Sequence, residues 1–128
     1  MSNKTHEVVE ILSIEHHLAV DPESLNEAGV VWTPAVRALA SAVAPIIEAR
    51  QASSLATSSS SSRPMRVLEL GAGTGALGIA LACSLPNIDV TLTDLAPVVP
   101  LMNTNADATR DAGKLADGSE THVAELAW

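Results

Sequence analysis

The chain has no tyrosine and no phenylalanine among its 128 residues, and its only aromatic side chains are Trp32 and Trp128. A core built on stacked rings is excluded, so the interior must be assembled from Ala, Val, Leu and Ile, which bring neighbouring elements close together. Basic residues are scarce as well. Seven scattered Lys and Arg against fifteen Asp and Glu give a formal net charge of −8, which argues against a nucleic-acid backbone or an anionic membrane surface as partner. Cys83 stands alone, so no internal disulfide can form. No apolar run approaches the ~20 residues that cross a bilayer, and Met1-Ser2-Asn3-Lys4 leads into a polar, acidic stretch rather than a signal-peptide core. A reduced, cytoplasmic setting is expected, with the nucleus also compatible.

What is present suffices for one small domain. A chain of this length buries roughly two thirds of its unfolded surface, and 47% hydrophobic residues rule out a disordered tail. Val8 to Leu18 places Leu12, Ile14 and Leu18 on one face at period two and predicts a strand. After the turn residues Asp21-Pro22-Glu23-Ser24, the short run Gly29-Val30-Val31-Trp32 is expected to pair back with it, so residues 1–34 read as a β-hairpin segment. Thr33-Pro34 opens a helix over 35–50, marked by Val36, Leu39, Val43 and Ile46 or Ile47, with Pro45 predicting a kink or an early end. Gln51 to Ser62 holds eight Ser or Thr in twelve residues. Residues 51–64 therefore read as a flexible linker.

Beyond the linker, residues 65–128 have a different texture. Arg66 to Leu70 is an apolar strand with one carboxylate, as expected for a parallel strand covered on both faces. Helix Ala76–Leu85, stopped by Pro86, leads to strand Asp89–Thr93 and Asp94. A helix from Pro97 to Asn105, a polar stretch over Asp107–Glu120 and a strand over His122–Trp128 complete the series. The alternation of strand and helix is the rhythm of an α/β, Rossmann-like doubly wound sheet, here its N-terminal part with about three parallel strands, preceded by the hairpin and helix.

The chemistry is carried by Glu69-Leu70-Gly71-Ala72-Gly73-Thr74-Gly75, which directly follows a strand and opens a helix. Glycines let the backbone turn tightly and approach a ligand, while the helix start offers free N–H groups. Asp94, at the end of the next strand, stands where a ribose diol is bound in folds of this kind. The segment Gly73-Thr74-Gly75-Ala76-Leu77-Gly78 also satisfies the dinucleotide pattern. Glu69 weighs against that reading, because a carboxylate beside the loop repels a pyrophosphate, whereas S-adenosylmethionine carries a cationic sulfonium and no phosphate. A glycine turn serving packing alone is the plainest alternative. A P-loop is excluded, since no Gly-Lys-Ser/Thr follows.

Gly29 to Trp32, Val67 to Ile79, Val90 to Leu95 and Leu126-Ala127-Trp128, in that order, resemble the seven-strand methyltransferase family 16 of non-histone protein lysine methyltransferases, near nicotinamide N-methyltransferase-like sequences. The resemblance covers the chain from about residue 11, apart from the serine tract. It implies S-adenosyl-L-methionine as cofactor, held by Trp32, Glu69, Gly71, Ala72, Gly73, Gly75, Asp94 and Trp128, with Asp94 on the ribose and Trp128 near the adenine. Asn105 matches a family asparagine, whereas Thr109 and Ala127 depart from the family pattern. The family continues past this tryptophan, so the chain corresponds to an N-terminal half whose uncovered sheet edge is expected to self-associate.

His6, His16, His17 and His122 do not suggest a metal site, because adjacent histidines on a strand point to opposite faces and no third ligand stands at a sensible spacing. Cys83, in an Ala-rich helix, reads as a small core residue. The resulting expectation is an S-adenosylmethionine-dependent N-methyltransferase acting on a protein lysine, with no nameable catalytic base. The alternatives are a catalytically inactive, truncated module that binds cofactor or a partner, and a small-molecule N-methyltransferase of the nicotinamide type.

Overall fold

The computed structural model describes residues 5–24, 28–57 and 63–127. Its elements in chain order are β1 (Thr5–Ile11), β2 (Ile14–Val20), α1 (Thr33–Thr57), β3 (Met65–Leu70), α2 (Ala76–Ser84), β4 (Ile88–Asp94), α3 (Val99–Asp111) and β5 (Glu120–Glu125). Strands β3, β4 and β5 form a parallel sheet in that spatial order, while β1 and β2 form a separate antiparallel hairpin. The α/β, Rossmann-like expectation is met.

The crossovers β3–α2–β4 and β4–α3–β5 step across the sheet in the same direction, and with the right hand that such units take, α2 and α3 fall on one face. That face holds the core. Ile88, Val90 and Leu92 of β4 are fully buried against Ile79, Ala80 and Ala82 of α2 and Met102 of α3. The hairpin closes over the helices with Ile11 and Leu18. Small alanines on α2 allow this close approach, which answers the missing aromatics.

The hairpin corrects the single strand expected over Val8–Leu18. The chain reverses at Leu12 and Ser13, both at positive φ (52° and 63°), and Ile11 pairs with Ile14. Such turns normally advertise themselves with Asn or Gly. Gly29–Trp32 does not pair back as a strand; instead Asp21 N–H donates to the Gly29 carbonyl at 2.8 Å, closing a loop. Helix α1 passes through Pro45 and ends at Thr57, so residues 51–57 belong to the helix rather than to the linker. Pro45 and Ser41 are both exposed, which leaves the Ser41 carbonyl, deprived of its helical donor, open to water. The run Ser58–Ser62 lies outside the described residues.

Helix α3 begins at Val99, which makes Pro100 a first-turn residue rather than an interruption, and it continues to Asp111 through part of the expected polar stretch. Arg110 holds that end by donating to Asp107 Oδ1 and to the Thr121 carbonyl, both at 2.9 Å.

One face of the sheet has no helical cover among the described residues. Leu68 and Leu70 are 60% and 59% exposed, so β3 alternates between half-buried and exposed positions instead of being covered twice as anticipated. No described strand pairs with the outer edge of β3. An apolar edge of this kind templates further strands. Light scattering on the eluting chain is expected to give masses above the 13.2 kDa monomer that rise with loading; a monomer at every concentration would contradict this.

Candidate functional site

The site lies at the carboxyl ends of β3 and β4, where ligands bind in open α/β sheets. Gly71, Gly73 and Gly75 all adopt positive φ (65°, 58° and 84°), turning the chain from β3 into α2 in five residues. At Gly73 a side chain is excluded twice, because a Cβ there would also lie 2.7 Å from the Ala28 carbonyl oxygen. The loop is pinned to β4 by Ala72 N–H donating to the Thr93 carbonyl at 2.9 Å.

Asp94 organises the mouth of the site. Its Oδ2 accepts the Gly73 N–H at 2.8 Å and its Oδ1 accepts the Leu95 N–H at 2.7 Å, with the residue only 7% exposed. A carboxylate offers about four acceptor positions, and these two bonds use half of them. Trp32 is 58% exposed at the start of α1, on the segment whose Ala28 abuts Gly73. Of the residues singled out in the sequence, Gly71, Ala72, Gly73, Gly75 and Asp94 are brought together; Trp32 presents an open ring, and Trp128 lies outside the described residues.

Glu69 is turned beneath the loop. Its Oε2 accepts the Gly78 N–H of α2 at 2.9 Å. Burial pushes its carboxyl up to about 7; the Gly78 hydrogen bond opposes the shift and the Asp94 charge adds to it. Between the ordinary value of 4.5 and about 7, the folded chain holds a proton that the unfolded chain releases. Folding stability contributed by this group is therefore complete below about pH 4.5 and is lost as pH rises through about 7. Glu69 thus occupies the positive end of α2, where a phosphate would sit, so its position as well as its charge disfavours a pyrophosphate.

Asn105 has a part that sequence reasoning missed. Its Nδ2 donates to the Ala19 carbonyl at 3.0 Å and to the Thr74 carbonyl at 2.9 Å, while its Oδ1 accepts the Ala19 N–H at 2.7 Å. One buried amide thus ties the hairpin, the glycine loop and α3 together. Thr109, one turn on, donates its hydroxyl to the Asn105 carbonyl at 2.9 Å. The signals available in the sequence are its match to a family asparagine and its place on the buried stripe of α3 beside Leu101, Met102 and Ala106.

The remaining candidates stand apart from this site. His16 is buried on β2, where desolvation, aided by Lys114, lowers its pKa, and His17 points outward to Glu15. Burial raises the Cys83 thiol to about 11, which suits a packed side chain and not a nucleophile.

A sequence profile of the family described as lysine methyltransferase matches residues 13–128, the glycine loop and Asp94 included. The chain belongs to this lysine methyltransferase family. Comparison with curated proteins finds no match. Among solved structures, the family member is similar to a candidate O-methyltransferase from Nostoc punctiforme PCC 73102, with 24% identity and a TM-score of 0.37. That likeness covers 73% of this chain and 27% of the other, so the family member spans about a quarter of the length of that structure.

Proposed function

We propose that this family member is an S-adenosylmethionine-dependent methyltransferase that methylates nitrogen, with a protein lysine as substrate. The observation that carries the reading is the Asp94 carboxylate, clamped to Gly73 with acceptor capacity to spare at the ends of β3 and β4. That arrangement fits a ribose diol, and the Glu69 carboxyl at the α2 N-terminus beside it disfavours a phosphate-bearing ligand. Bound there, S-adenosylmethionine supplies a sulfonium-linked methyl group for in-line displacement by a nucleophile, leaving S-adenosylhomocysteine.

The chain's own work is holding and orienting. Asp94 fixes the sugar end, the loop at 71–75 lets the backbone approach, and Trp32 offers an exposed ring on the segment whose Ala28 abuts Gly73. Glu69 supports the loop from below. Alignment of an amine with the methyl carbon is the dominant requirement of such a transfer, and little covalent chemistry is asked of the protein. The acceptor amine must be neutral to present its lone pair.

The family description supports lysine as acceptor. Radiolabelled S-adenosylmethionine and a lysine-rich protein extract provide the test. Label in protein that is lost when lysines are pre-acetylated is expected; label confined to small amines such as nicotinamide would replace the substrate assignment, and absence of cofactor binding would remove the reading altogether.

A further inference from the structure

We propose that Glu69 is a positioning residue that caps helix α2 from the neighbouring strand, so that the charge on its carboxyl sets how tightly the glycine loop holds cofactor. This rests on the cofactor reading given above.

Helix α2 starts without a cap of its own. Gly75 stands at its N-cap with φ 84° and no side-chain hydrogen bond. Ordinarily a Ser, Thr, Asp or Asn at that place accepts the N–H of the second or third helical residue. The left-handed turn into α2 demands glycine at 75, so the capping oxygen must come from elsewhere. It comes from β3: the third helical residue is Gly78, and its N–H donates to Glu69 Oε2 at 2.9 Å. Only glycine fits at 78, because a Cβ would lie 2.6 Å from that same oxygen, 2.9 Å from Val90 Cγ1 and against Leu92.

Glu69 reaches the loop by a second route as well. Its backbone carbonyl accepts the Thr93 hydroxyl at 2.6 Å, and the Thr93 carbonyl accepts the Ala72 N–H. Both ends of the turn are therefore anchored to one residue. The charged group facing Glu69 from β4 is Asp94. Helix α2 adds no acid or base except buried Cys83, and Arg37, Glu48 and Arg50 of α1 are exposed. With the carboxyl held near 7, its protonation changes within the neutral range. The ionised form is the stronger acceptor for a helix amide and attracts a cationic ligand. The protonated form loses both effects, so affinity rises with pH.

Two readouts separate the parts of this proposal. In the free chain, the Gly78 amide shift followed by NMR from pH 5 to 9 is expected to titrate with a midpoint near 7, to stay flat in Glu69→Gln, which keeps an acceptor without a charge, and to keep its titration in Asp94→Asn. Thermal melts of Glu69→Gln lose the fall in stability across that window. S-adenosylmethionine binding by calorimetry is expected to tighten about fivefold between pH 6 and 8 in the unaltered chain, the effect across that window of a one-unit shift on binding, and to be pH-independent in Glu69→Gln. Glu69→Ala should bind more weakly at every pH. A Gly78 amide that does not titrate overturns the cap; a titrating Gly78 with pH-independent affinity overturns the coupling. Absence of S-adenosylmethionine binding at all pH values overturns the cofactor reading and the coupling with it, while the Gly78 titration still decides the cap.

Discussion

Replacing Asp94 by alanine is expected to lower S-adenosylmethionine affinity by about 100-fold, read by calorimetry at fixed pH and salt. The residue is 7% exposed and receives the N–H groups of Gly73 and Leu95. A hydrogen bond to a charged group contributes about 1.5–3 kcal/mol, so losing two to the ribose hydroxyls removes about 3 kcal/mol, or two decades of affinity. The same truncation also frees the Gly73 N–H and leaves the loop only its backbone anchor on β4, from Ala72 N–H to the Thr93 carbonyl. Asp94→Asn keeps an acceptor and loses the charge, and about tenfold is expected for it. An unchanged affinity in the alanine variant would remove Asp94 from the site.

The second large effect falls on stability. Asn105→Ala leaves three buried backbone groups without partners: the N–H and carbonyl of Ala19 and the carbonyl of Thr74. Each unpaired buried group costs about 1–3 kcal/mol, so a loss of about 3 kcal/mol or more is expected. Domains of this size have only about 5–15 kcal/mol in total. A fall in melting temperature of roughly 10 °C, followed by circular dichroism, matches that figure. A change of about 1 °C would mean that the network carries little weight.

These two residues mark the boundary of what the sequence reveals. Asp94 was legible because its signals are local: a strand-end carboxylate after an apolar run, following a glycine loop and an alanine-rich helix stopped by Pro86. The three parallel strands and α2 were legible for the same reason. The role of Asn105 was not, since its partner Ala19 lies 86 positions away, and neither end announces the other. A hairpin is legible in this region, but its turn falls at Leu12-Ser13 rather than after Val20, because those residues reverse the chain with none of the usual turn chemistry. The end of α1 was misjudged because its last turns share the Ser-rich composition of the tract that follows. Glu69 stood out as chemically significant, but its bond to Gly78 depends on how closely a helix packs on a strand.

The Asn105 bridge also bears on the order of events as the chain folds. Strand β3, helix α2 and strand β4 are neighbours in sequence, and the crossover between them closes over a short span. Joining Ala19 to Asn105 encloses 86 residues, and the entropy lost in closing a loop grows with its length. Non-local contacts of this sort slow folding. The βαβ unit is therefore expected to assemble first, with the glycine turn still loose, and the binding mouth to become rigid only when the hairpin docks. On that order the loop at 71–75 acquires its final shape last, and any ligand that captures the docked form is expected to draw the remaining steps forward by mass action.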